Sequence, residues 1–89
     1  MYKVTFTKTF VSHFKKLPRS VQIKADSLAS FLAVDFRDTR LHTKKLHGNN
    51  DWFSFRVGRD YRVVFMFEDG ETIKLLDVRH RKDIYKSIK

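Results

Sequence analysis

Tyr2, Val4 and Phe6 alternate with polar residues, which is the period of a half-buried strand. Phe10, Phe14 and Leu17 then fall at helical spacing, with Lys15 and Lys16 outside the stripe and Thr7 or Thr9 available as the cap. Pro18 ends that helix and suits the first turn of the next. Val21, Ala25, Leu28 and Leu32, widened by Phe31, predict a second helix over about Arg19 to Val34. The pattern fades between Asp35 and Asp51, where Arg40 to Leu46 is polar and basic and His47-Gly48-Asn49-Asn50-Asp51 is turn chemistry. A period of two then returns. Phe53, Phe55 and Val57 oppose Trp52, Ser54 and Arg56, and Gly58 to Asp60 makes a turn. Tyr61, Val63, Phe65 and Phe67 oppose Arg62, Val64 and Met66. An Asp69-Gly70 hairpin signal leads to a last strand over about Thr72 to Arg79, with Leu76 and Val78 on one face and Asp77 and Arg79 on the other. Lys82 to Ile88 fits a short closing helix.

The predicted order is β-α-α-β-β-β. A helical hairpin would pack on one face of an antiparallel sheet, an α+β architecture. Ser54, Arg56, Arg62 and Arg79 fall on the second face, and buried faces do not carry such arginines without partners. That face is expected to be open and to be the working surface.

Composition sharpens this picture. The 89 residues suffice for one small domain, 1–89, and 42% hydrophobic with 15% aromatic residues supports a packed core. Nineteen Lys and Arg against ten Asp and Glu give a formal charge of +9, which calls for an acidic partner. Residues 1–34 hold six basic residues against one acidic, 35–51 four against three, and 52–89 nine against six, so the charge is interleaved with apolar residues and is not a tail. There is no cysteine, which excludes disulfides and thiol chemistry, and no His pair has the i, i+4 spacing of metal ligands on a helix. No metal or other cofactor is expected. The longest apolar stretch, Leu28 to Val34 with Ser30 inside it, is far short of a membrane span, and MYKVTFTKTF carries no signal-peptide core. A cytoplasmic protein without a membrane partner is expected.

Leu46 with Gly48, then Arg56, then Gly58 with Tyr61-Arg62-Val63, then Arg79-His80-Arg81 up to Tyr85 form an ordered set. Over nearly the whole chain this set resembles the RelE/ParE superfamily of toxins from type II toxin–antitoxin pairs. The resemblance implies a RelE-like fold and one of two activities: metal-independent, ribosome-dependent cleavage of mRNA in the A site, or inhibition of DNA gyrase. An inactive relative that only binds its antitoxin is a third outcome. In each case the partner is a cognate acidic antitoxin; mRNA and the ribosome are added for the ribonuclease.

Carried over position by position, the resemblance makes Arg56, Arg62, Arg79 and Tyr85 the catalytic set. Arg81 belongs to the His-Arg-x-x-x-Tyr form of the closing motif, and His80 is a further acid–base candidate, although strand alternation turns it away from Arg79. Ser54 stands where RelE-type members carry a second lysine, a departure that removes a proton carrier. For RNA contact the candidates are Trp52 for stacking and His47, Arg59, Lys44 and Lys45 for charge. Arg79 has an ordinary alternative, an ion pair with Asp77 or Asp83, and His13 and His42 read as surface residues.

Overall fold

The computed structural model describes residues 1–46, 48 and 51–87, the last three of these in backbone only. The elements are β1 (Lys3–Phe6), α1 (Lys8–Lys15), α2 (Arg19–Val34), a 3₁₀ turn (Thr39–Leu41), β2 (Lys44–Lys45), β3 (Trp52–Val57), β4 (Tyr61–Phe67), β5 (Thr72–His80) and α3 (Arg81–Ser87). The α+β class holds. The sheet has the order β1-β5-β4-β3-β2. It is mixed and not wholly antiparallel, because β1 lies parallel to β5, with Lys3 opposite Thr72 and Phe6 opposite Leu75. The stretch in which the hydropathy pattern fades holds two elements that the pattern does not announce, the 3₁₀ turn and β2. Leu41, in that polar stretch, is fully buried.

Thr7 organises the first corner. Its hydroxyl accepts from the Phe10 N–H at 3.0 Å, capping α1, and donates to the Leu76 carbonyl at 2.7 Å. Gln22 closes the helical hairpin. Its amide nitrogen lies 3.1 Å from the carbonyl oxygens of both Phe14 and Leu17, which ties α2 to the end of α1. Below the hairpin, Leu28 and Leu32 of α2 pack with Phe55, Val57, Val63, Phe65, Ile73, Leu75 and Val78 of the sheet. Each such side chain taken fully from water contributes about 1.5–3 kcal/mol. Phe6 is the exception on its strand: it stacks on Phe10 at 5.6 Å but stays 56% exposed. Asp38 caps the 3₁₀ turn. The Arg40 side chain, and then the Arg40 N–H, bond its carboxylate and lower its pKa from 3.8 to about 2.

Two details of β5 correct the sequence reading. Val64 pairs with Asp77 and Phe65 with Leu75, so Leu76 is an extra residue, a β-bulge. Leu75, not Leu76, therefore shares the core face with Val78. The second sheet face is also not wholly open. Val64 lies on it by alternation yet is 0% exposed, and Ser54 is 2% exposed. The element packed against β4 and β5 outside the hairpin is α3, which buries Ile84 completely. Among the described residues no helix is long and apolar enough to cross a membrane.

The double role of Thr7 predicts that Thr7→Ala destabilises the fold by about 2 kcal/mol, the sum of a lost cap and a lost hydrogen bond. Thr9→Ala, at an exposed position of α1, is expected to cost less than about 0.5 kcal/mol. Urea unfolding of the two variants measures the difference.

Candidate nucleic-acid interface

The cross-strand register sets the site. Arg56 on β3 stands opposite Arg62 on β4, and Arg62 stands opposite Arg79 on β5. All three point away from the core, because their neighbours Val57, Val63 and Val78 point into it. Directly opposed side chains have Cβ atoms about 4.5–5.5 Å apart, and like charges placed so are destabilising. Three guanidiniums thus form one row across three strands.

The row is poorly neutralised. Arg62 Nη1 donates to the carbonyls of Arg59 at 3.0 Å and Tyr61 at 2.9 Å, which fold the side chain over the β3–β4 turn without cancelling its charge. Arg79 Nε lies 3.1 Å from Asp77 Oδ2. That contact is ionic in distance, but Nε is buried and makes no aligned hydrogen bond. Arg56 is exposed, and among the described residues it has no acidic partner. The next row along the face is Ser54, Val64 and Asp77, extended by Lys44, which pairs with Ser54 across β2 and β3. Lys44 therefore brings an ammonium to the strand position beside Ser54.

The other predicted residues divide clearly. Trp52 shares the face of Arg56 but sits four residues away, about 13 Å along the strand, so it borders the row without touching it. Lys45 faces the other way, opposite Phe53, and pairs with Asp51 at 3.3 Å. Arg59 is exposed in the turn and serves the row through its carbonyl. Arg81 opens α3, with its N–H bonded to Asp60 O at 2.6 Å and Nε 3.8 Å from Asp60 Oδ1. His80 is not brought to the row. It stands opposite Tyr61, its ring 5.5 Å from the tyrosine ring, and its Nδ1 accepts from the Lys82 N–H at 3.1 Å. The backbone of Tyr85 lies on α3; its side chain, and His47 altogether, lie outside the described residues.

One residue enters that sequence reasoning missed. His13 is not a solvent-facing residue: its Nδ1 is 2.5 Å from Asp77 Oδ1. No local signal marks this pair, because the partners are 64 residues apart and meet only through the bulge and the α1 corner.

A five-stranded sheet carrying a helical hairpin and a closing helix, with this strand order, is the RelE-like toxin fold. The RelB–RelE antitoxin–toxin complex from Methanococcus jannaschii contains a chain 28% identical, with a TM-score of 0.77 over 96% of this chain and 99% of that one. The archaeal RelE–RelB complex from Pyrococcus horikoshii OT3 gives 26% identity and a TM-score of 0.73 over 90% and 94%. Toxin RelE3 of Methanocaldococcus jannaschii is 33% identical over 85 residues, 93% of this chain and 94% of that one. Residues 4–85 match the family described as ParE toxin of type II toxin-antitoxin system, parDE. The chain belongs to that family and is a toxin of the RelE/ParE superfamily.

The crowding of the row has a measurable signature. Arg56→Gln is expected to leave stability equal or raise it by about 0.2–1 kcal/mol, since it removes a like-charge pair. If the row holds RNA phosphate, the same variant should reduce the salt slope of RNA binding by about one unit, the loss of one phosphate contact. Denaturant unfolding and a salt titration with an RNA oligonucleotide measure both on one sample.

Proposed function

We propose that this toxin cleaves ribosome-bound mRNA without a metal and that an acidic antitoxin holds it inactive. The observation that carries the reading is the Arg56–Arg62–Arg79 row. An RNA phosphate under attack by its own 2′-hydroxyl gains charge in the pentacoordinate transition state; the P–O5′ bond then breaks, leaving a 2′,3′-cyclic phosphate and a 5′-hydroxyl. Fixed guanidiniums aimed at that charge stabilise it. Arg62, at the centre of the row and held by two carbonyls, is the best oriented of the three. Lys44, beside Ser54, supplies part of the positive surface that the Ser54 departure removes. Tyr85 and Arg81 on α3 belong to the same reading through their place in the closing motif.

A second reading, gyrase inhibition without RNA cleavage, is favoured by one observation. The row consists of guanidiniums, which stay protonated throughout the accessible pH range and cannot shuttle protons. The deciding experiment incubates the protein with mRNA-programmed ribosomes and, in parallel, with naked mRNA, then maps the ends. Cuts confined to the A-site codon support the ribonuclease, and Arg62→Ala should lower their rate about 10²-fold or more with the fold intact. Wild-type-like cutting by Arg62→Ala would remove the row from the mechanism. No cutting at all, together with blocked DNA supercoiling by gyrase, would favour the second reading.

The antitoxin reading has its own surface. Between α1 and α2 lies a groove of about 340 Å³ lined by Phe6, Phe10, Val11, Phe14 and Ala29, floored by Phe55. Lys8, Lys15 and Lys16 stand near one side, with Asp26 the one acidic residue on its lining. An amphipathic segment with an acidic flank is the complementary occupant. The two archaeal neighbours were captured with RelB bound, which supports a partner of this kind. Val11→Asp, at an exposed position, is expected to weaken antitoxin binding at least about tenfold, or roughly 1.4 kcal/mol, while ribosome-dependent cleavage is unchanged. Calorimetric titration with the antitoxin measures it; full affinity would move the partner off this groove.

A further inference from the structure

Asp77 touches both the arginine row and the helical hairpin. Its Oδ1 takes the Nδ1–H of His13 at 2.5 Å and the N–H of Val78 at 2.8 Å, while Oδ2 lies 3.1 Å from Arg79 Nε. The carboxylate is therefore oriented by two groups other than the arginine it meets. Arg79, for its part, is pressed by the opposed Arg62 and has one buried nitrogen that makes no aligned hydrogen bond and, among the described residues, lies at ionic distance from this carboxylate alone. An ordinary surface ion pair has neither property: both partners are mobile, and either side chain can turn to water.

We propose that Asp77 is a positioning residue of the site, braced by His13 of α1, and that it fixes the Arg79 guanidinium by Nε so that the terminal nitrogens are presented to an RNA phosphate. The carboxylate opposes the push of Arg62 and keeps the row in register. His13 acts only through Asp77. This inference rests on the reading of the row as a phosphate site, and it adds a group that neither the motif nor the row itself supplies. Preset geometry of this kind lowers what must be reorganised when the transition state forms.

The test is Asp77→Asn, which keeps the shape and the acceptor for the Val78 N–H but removes the charge. The expected result is a fall in kcat of at least tenfold on programmed ribosomes. KM should be unchanged or lower, because the variant gains one positive charge. The Arg79 Nε–H resonance in ¹⁵N–¹H spectra should shift and exchange faster with solvent. His13→Ala, at a half-buried position, should give the same signature at about threefold, and the double variant should be no worse than Asp77→Asn alone. An unchanged kcat, an effect confined to KM, an unmoved resonance or additive losses would each overturn the proposal. If Asp77→Asn does not fold, His13→Ala carries the test with the same readouts. Should the wild-type protein cut no RNA, the ribonuclease reading falls. The Arg79 resonance, and a cycle of affinities for a 2′-deoxy-substituted oligonucleotide across the same variants, then decide the positioning role by themselves.

Discussion

The structure turns on the bulge in β5. Counted strictly from Ile73 and Leu75, a period of two would drive Asp77 and Arg79 into the hydrophobic core beside Leu28 and Leu32. One extra residue, Leu76, reverses the phase, so that Val78 enters the core and Arg79 leaves it. The Thr7 hydroxyl donates to the carbonyl of that extra residue at 2.7 Å. The same Thr7 oxygen starts α1. The corner that begins the helical hairpin and the irregularity that aims the arginine are thus one hydrogen-bonded unit. Neither could be shifted alone without leaving a buried polar group unmade, which is costly.

Given that phase, the sheet does the rest. Adjacent strands in register place Arg56, Arg62 and Arg79 side by side, and the backbone ladder holds them there against their mutual repulsion. At the spacing of opposed residues, two unit charges repel by somewhat under 1 kcal/mol in bulk water and by a few times more near a low-dielectric surface. Among the described residues the row has one carboxylate at ionic distance, that of Asp77, and its charge is left largely uncompensated. The local geometry departs from what stability alone would choose, which is what a binding surface on a rigid scaffold requires. The covering of the second face follows the same logic. α3 buries Ile84 while Val64 is also closed off, giving the face an apolar floor, and the exposed Arg56 stays at its margin.

Much of this was legible in the sequence, because it depends on periodicity. The helix Arg19–Val34, the turns at Gly58 and Gly70, and the opposition of Phe55, Val63 and Phe65 to Arg56, Arg62 and Val64 all follow from local spacing. The arginines read correctly as outward because β3 and β4 are regular along their length. What failed to read depends on distant partners. The carbonyl of Leu76, at the bulge, is bonded by a residue 69 positions away, and His13 meets Asp77 across a separation of 64. The parallel pairing of β1 with β5 has no signature in either strand. His80 is different: the strand runs through it, and the alternation that aims Arg79 outward aims His80 toward Tyr61, as the local spacing predicts. Leu41 escaped because one buried leucine in a basic stretch has no period to belong to.

The two surfaces of the molecule are different in kind, and under the proposed function that difference bears on how one small chain meets both an RNA and an antitoxin. The arginine row lies on the sheet and presents charge; the α1–α2 groove lies on the hairpin and presents apolar surface, with Phe6, Phe10 and Phe14 stacked along it at 5.6 and 5.7 Å. A flexible acidic partner with apolar anchors would grip the groove without mimicking RNA, whose charged backbone finds little to match in its mostly apolar lining. Simple electrostatic competition is therefore not required for the two to exclude one another. α1 belongs to both surfaces, since Phe10 and Val11 line the groove while His13 reaches Asp77 and, through it, Arg79. A partner that shifts α1 by a fraction of an ångström acts on a hydrogen bond whose strength falls steeply with geometry. The physical link between capture of the toxin and the state of its site would then be a single carboxylate.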